Sequence, residues 1–176
     1  GELGQEAIEL VLAPGVTSRW IESSDSLVGS AGLPEDRVSA ASWTNASKTL
    51  VIEIPKDLEV NEPSFIRINP ASADANALHI VVVAGMHSNS TMVLDHIGQG
   101  VLGENIEIIL QDGANLNFVT IQEWEKGSSH VSAQFAKLGR DSNLKHVVVS
   151  LGGDVVRLTP SVELSSPGAE VNMYGV

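Results

Sequence analysis

The sequence predicts an all-β protein. Its strands form a solenoid of stacked coils, a parallel β-helix, preceded by a short irregular or partly helical segment. Three observations predict this. From Thr49 onward, short aliphatic runs alternate with small polar turns, and no helical period is sustained. The turns recur, with Ser90, Asn115, Asn143 and Glu170 spaced by 25, 28 and 27 residues, the signature of repeated coils. There are also 21 Val and 12 Ile against seven aromatic residues, which suits a narrow interior lined by branched aliphatics.

In chain order, residues 1–48 carry loop signals at Pro14-Gly15, Ser23 to Ser26, Gly29 to Pro34 and Thr44 to Ser47. Within them, Ala7 to Leu12 fits a helical turn or a strand, and Pro34 to Ala41 fits a short helix with Pro near its first turn. The β-helix core spans 49–176. Its strands are expected at Leu50 to Ile54, Phe65 to Asn69, Leu78 to Ala84, Met92 to Leu94, Ile106 to Leu110 and Leu116 to Ile121. They continue at Val131 to Leu138, His146 to Leu151, Val155 to Leu158 and Val171 to Tyr174. Gly85, Gly98, Gly103, Gly113, Gly139, Gly152-Gly153 and Gly168 are expected at corners. An antiparallel sandwich also has short strands and Gly turns, but only Gly152-Gly153 and Asp112-Gly113 resemble two-residue hairpins.

Composition excludes several classes. At 176 residues the chain is one domain of ordinary size. A net charge of −12 argues against nucleic acid and anionic membrane as partners. With no cysteine, these residues supply no disulfide, thiolate zinc site, cysteine nucleophile or cysteine-ligated cluster. No apolar run approaches the ~20 residues a membrane-spanning helix needs. The start at Gly1 and the end within Met173-Tyr174-Gly175-Val176 lead us to expect a piece of a longer protein, cut within its β-helix.

Candidate motifs have plain explanations. Gly98-Gln99-Gly100-Val101-Leu102-Gly103 matches a dinucleotide fingerprint, with Glu123 about twenty residues on. The next residues, Glu104 to Leu110, read as a strand, whereas pyrophosphate binding needs a helix N-terminus, so coil-corner glycines account for it better. The histidines His79, His87, His96, His130 and His146 show no close H-x-x-x-H pair, and no metal site is expected. His79 and His146 sit in aliphatic strands as hydrogen-bonded core or edge groups, and Asp95 beside His96 suggests a structural carboxylate–imidazole pair. Gly127-Ser128-Ser129-His130 reads as a polar loop, because a Ser–His catalytic pair is assembled in space. Glu123-Trp124-Glu125 and Glu104/Glu107 offer the carboxylate pairs that glycoside cleavage requires, which keeps a carbohydrate-active or saccharide-binding solenoid as the alternative function. Asn45-Ala46-Ser47 and Asn89-Ser90-Thr91 fit a glycosylation pattern that chance supplies as often. No catalytic residue emerges.

The segment Val119-Thr120-Ile121-Gln122-Glu123-Trp124, then His130-Val131, then the run from Leu138-Gly139-Arg140-Asp141-Ser142-Asn143 through Gly152-Gly153-Asp154-Val155-Val156-Arg157 resembles the SufB/SufD family. Pro160 to Leu164 and Pro167 to Glu170 fit the same stretch. The likeness is strong over about 117–176, fair over about 36–116 and absent before that. It is more SufD-like than SufB-like, and of the actinobacterial form. The resemblance implies a right-handed parallel β-helix in a cytoplasmic, non-catalytic scaffold subunit of an iron–sulfur cluster assembly complex. It implies a SufB-like subunit and a SufC-like ATPase as partners of the full-length protein. The cluster, and reduced flavin with it, would be handled by the full complex, with no cofactor in this segment. The family's docking helices and pairing strands lie downstream of Val176, so none of their residues carries over. Gly139, Gly152, Gly153 and Gly168 would be corners, and Asp141, Asp154 and Arg157 corner or ladder groups with unassigned partners. The bared terminal coil, Val171 to Val176, is expected to make the segment self-associate.

Overall fold

The computed structural model describes residues 1–70 and 74–176. A 3-10 turn at Gln5–Ala7 leads into β1 (Ile8–Val11) and β2 (Thr17–Glu22), and then one helix, α1 (Arg37–Asn45). The strands β3 (Lys48–Ile54), β4 (Ser64–Ile68), β5 (Ala75–Ala84), β6 (Asn89–Gly98) and β7 (Val101–Leu110) begin the solenoid. They continue as β8 (Asn115–Trp124), β9 (Ser129–Leu138), β10 (Asn143–Ser150), β11 (Val155–Leu164) and β12 (Glu170–Gly175). Even-numbered strands from β4 to β12 form one parallel sheet and odd-numbered strands from β3 to β11 form the other. The chain is therefore the parallel β-helix expected, with two strands per coil.

Most of the core strands are longer than their aliphatic runs, because polar residues at either end continue the ladder. Asn89 pairs with Asn115, Asn115 with Asn143 and Asn143 with Glu170, giving coil steps of 26, 28 and 27 residues. The expected repeat began one residue late, at Ser90, since side chains there offer no landmark sharper than the asparagine. Gly152-Gly153 and Asp112-Gly113 join strands of different sheets and not hairpins. The corner leading into each even strand uses one left-handed residue at the same place: Asp57, His87, Gly113, Asp141 and Gly168. Gly103 is no corner. It lies inside β7, where a Cβ would stand 3.0 Å from that of Ser42 on α1, so the missing side chain lets the helix settle on the sheet.

The N-terminal segment closes one end and covers one face. Of the stretch Ala7 to Leu12, Ala7 ends the 3-10 turn and Ile8–Val11 forms a strand: β1 runs antiparallel along β4 and β2 antiparallel along β3. Leu3, Ala7, Ala13 and Val16 plug the core beneath them. The helix starts later than the sequence suggested, because Asp36, not Pro34, organises its first turn. Asp36 accepts from the backbone N–H of Val38 at 2.8 Å and of Ser39 at 3.0 Å. Hydrogen bonds from the Ser39 hydroxyl and backbone, with help from Arg157, hold the Asp36 carboxyl down to about 2. Arg157 of β11 donates to Asp36 at 2.7 Å, which supplies the partner its sequence position did not reveal.

Residues 23–45 lie on the outer face of the odd-numbered sheet, and Glu107 is the clamp. Its fully buried carboxylate accepts from Gly29 N at 2.7 Å, Ala31 N at 2.9 Å and His79 Nε2 at 2.9 Å. Removing it strands two buried donors, Ala31 N and His79 Nε2, and the half-buried Gly29 N, a loss of roughly 1–3 kcal/mol for each fully buried one. Glu107→Leu is expected to destabilise the fold by about 3 kcal/mol and to make residues 23–33 the first site of limited proteolysis. A variant in which that segment stays as resistant as wild type would overturn the clamp.

Candidate functional site: a buried histidine–carboxylate cluster

Alternation along the strands sends one set of side chains inward. The interior divides into two parts. Toward one corner it is aliphatic, with Ile106, Ile108 and Leu110 among the buried residues. Toward the other it is polar, with His96 and Gln122 from the even sheet facing Glu104, His130, Ser132 and Gln134 from the odd sheet, all buried. Registry places these groups: Glu104 pairs with Ser132, Leu102 with His130, and His96 with Gln122.

Glu104 is the centre. Its Oε1 lies 3.0 Å from His96 Nε2, and its Oε2 lies 3.3 Å from His130 Nε2 while accepting from Ser132 Oγ at 2.8 Å. Gln134 Nε2 in turn donates to Ser132 Oγ at 3.2 Å. Burial pushes the Glu104 carboxyl up, but the His96 charge and the hydrogen bonds of both imidazoles outweigh it and hold it below the ordinary carboxylate range. Burial, reinforced by His96, pushes the His130 imidazole down against the pull of Glu104. His96 Nδ1 lies 3.1 Å from Ile121 O, so that nitrogen carries a proton and donates. The Trp124 ring stands 5.5 Å from the His96 ring and 5.4 Å from the His130 ring. Among the described residues, no group lies within hydrogen-bond reach of His130 Nδ1, Trp124 Nε1 or Gln134 Oε1.

Other candidates separate. Neighbours on a strand point to opposite faces, so Asp95 does not pair with His96; it accepts from Arg67 Nε at 2.9 Å on the outside. Glu104 and Glu107 are divided in the same way, and Glu123 and Glu125 are both exposed, so neither pair sets one acid in a dry pocket opposite the other. Residues 98–103 run from one strand into the next with no helix, which removes the dinucleotide reading. His130 belongs to a buried strand and not to a polar loop, and Ser128 accepts from Gly100 N at the corner. Of the histidines, His87 alone is exposed, at a left-handed corner. The cluster itself escaped sequence reasoning because its members are scattered by the coil period. The available signal was polar residues at inward parity in 96–134 once the period is fixed.

Residues 66–176 match the SUF system FeS cluster assembly SufBD core domain. The chain belongs to the SufBD family. An iron–sulfur cluster assembly SufBD family protein of Mycobacterium tuberculosis, Rv1462, is 32% identical over 174 residues, covering 98% of this chain and 44% of that protein. ML0594 of Mycobacterium leprae, described in the same words, is 31% identical over 176 residues with the same two coverages. The chain thus spans less than half the length of these SufBD relatives. No solved structure matches it. All three central residues of the buried cluster fall within the SufBD core match. No helix among the described residues is long and apolar enough to cross a membrane.

One more interior group titrates. His146 stacks between Phe118 and Met173 in the inward ladder, edge-on to Phe118 at 5.5 Å between ring centroids. Burial pushes its imidazole down to about 4. An unfolded imidazole titrates near 6.5, so on acidification the unfolded chain takes the proton first. Stability contributed by the neutral ring is thus complete above about pH 6.5 and is lost progressively toward about pH 4. His146→Phe should reduce the loss between neutral pH and pH 4 by up to about 3 kcal/mol. Chemical denaturation of both proteins across that range checks it, and parallel pH slopes would show that His146 does not carry the effect.

Proposed function

We propose that this chain is part of the β-helix of a non-catalytic, SufD-like scaffold subunit of an iron–sulfur cluster assembly complex. The observation that carries the reading is the SufBD core match laid over a regular two-sheet β-helix. The absence of cysteine adds to it, since these residues have no thiolate with which to hold a cluster. In this reading the cluster, and reduced flavin with it, is handled elsewhere in the complex. The partners are a SufB-like subunit and a SufC-like ATPase, in the cytoplasm. Neither candidate carboxylate pair supports the saccharide alternative, since Glu104 and Glu107 face opposite ways and Glu123 and Glu125 are both exposed.

The terminal coil supplies a surface for association. The outer edges of β11 and β12 have no neighbouring strand among the described residues, and Leu164, Met173 and Tyr174 are about half exposed. Such an edge recruits another strand. The isolated chain is therefore expected to self-associate through 171–176. Light scattering at high concentration tests this, and a monomer would refute it.

For the scaffold itself, the full-length parent is tagged in its native host and its associated proteins are identified by mass. Recovery of a SufB-like protein together with a SufC-like ATPase is the expected result. A parent recovered without either would remove the basis for the assembly role.

A further inference from the structure

We propose that His96, Glu104 and His130 form a binding site for one divalent first-row transition cation inside the β-helix. The sequence suggested no metal ligand among the histidines; the fold brings two of them to one carboxylate.

The centre of the cluster requires a positive group between His96 and Glu104. His96 Nδ1 spends its proton on Ile121 O at 3.1 Å. In the neutral ring Nε2 is then a bare acceptor, yet it faces the Glu104 carboxylate oxygen at 3.0 Å. Two acceptors at that distance need something positive between them, either a proton or a metal ion. A fixed Nδ1–H donating to a backbone carbonyl is also the arrangement that aims an imidazole Nε2 at a metal.

The spacing suits an ion as well. The ligating atoms of the three residues all lie within 4.8 Å of one another, with the two carboxylate contacts at 3.0 and 3.3 Å. Donors bound at about 2.1 Å to one ion lie about 3.0–3.4 Å apart when adjacent, so a small shift of the rings admits it. The carboxylate is also held from behind: Ser132 donates to Glu104 Oε2 at 2.8 Å, and Gln134 holds Ser132.

The donor set defines the class of ion. Two imidazoles and one carboxylate without thiolate suit Zn²⁺, Fe²⁺ or Co²⁺, whereas Mg²⁺ and Ca²⁺ prefer oxygen alone. Binding balances simply. The proton on His96 Nε2 leaves to solvent, that of His130 moves from Nε2 to Nδ1, and the cation takes both nitrogen lone pairs and the carboxylate charge.

The test uses this chain refolded separately with Zn²⁺, Co²⁺, Mg²⁺ and, without oxygen, Fe²⁺, then freed of loose metal on a chelating resin. The expected result is about one ion per chain for the three transition metals and none for Mg²⁺. X-ray absorption of the Zn²⁺ form should show two imidazoles. Glu104→Gln and His130→Gln should each weaken binding more than about tenfold. His87→Asn, which removes the exposed histidine and tolerates its left-handed corner, should bind like wild type. Three results overturn the proposal: no stoichiometric retention by wild type, retention unchanged in Glu104→Gln, or an oxygen-only shell. Should either ligand variant fail to fold, the imidazole count in the wild-type spectrum decides alone.

Discussion

Everything in this molecule depends on the in-register ladder between successive coils. Each inward side chain must sit on its counterpart 26–30 residues earlier and beneath the one in the next coil. Met92, Phe118, His146 and Met173 occupy one such column. A solenoid has no distant core to average over, so each column must be compatible with itself. Apolar columns meet that requirement by shape. Polar ones meet it only if neighbouring coils and the facing sheet supply partners, as Ser132 and Gln134 do for Glu104.

The strand β7 shows how one ladder serves two environments. Its odd positions face outward to the N-terminal segment. Gly103 O accepts from Ser42 Oγ at 2.6 Å, Asn105 Nδ2 donates to Ser39 O at 3.0 Å, and Glu107 clamps Gly29 and Ala31. Its even position Glu104 anchors the interior cluster. Two carboxylates three residues apart thus have unrelated partners, separated by the thickness of a single backbone. A one-residue slip of β7 would expose both sets at once.

The coils were legible in the sequence because aliphatic alternation and recurring turns are local signals, and the SufB/SufD likeness from Leu138 to Arg157 agrees with them. Strand ends were less legible, since Asn89 and Asn115 look like turn residues until their ladder partners are known. The helix start was misplaced because Pro34 is a conspicuous signal and the cap at Asp36 is a quiet one. The buried cluster was not legible at all. His96, Glu104 and His130 meet only through a corner and a coil step, and adjacency drew attention instead to Asp95, which points the other way.

The antiparallel closing strands have a consequence for biosynthesis. Synthesis runs from the N-terminus, yet β2 finds its partner only when residues 48–53 exist, and β1 only when residues 65–68 exist. The loop at Gly29 is secured later still, by a carboxylate 78 residues further along. Residues 8–22 therefore stay unpaired until the first coil has been made, and the loop at Gly29 until β7 has. The closing segment is thus fastened in stages as the first coils are laid down, before the strands from β8 to β12 exist.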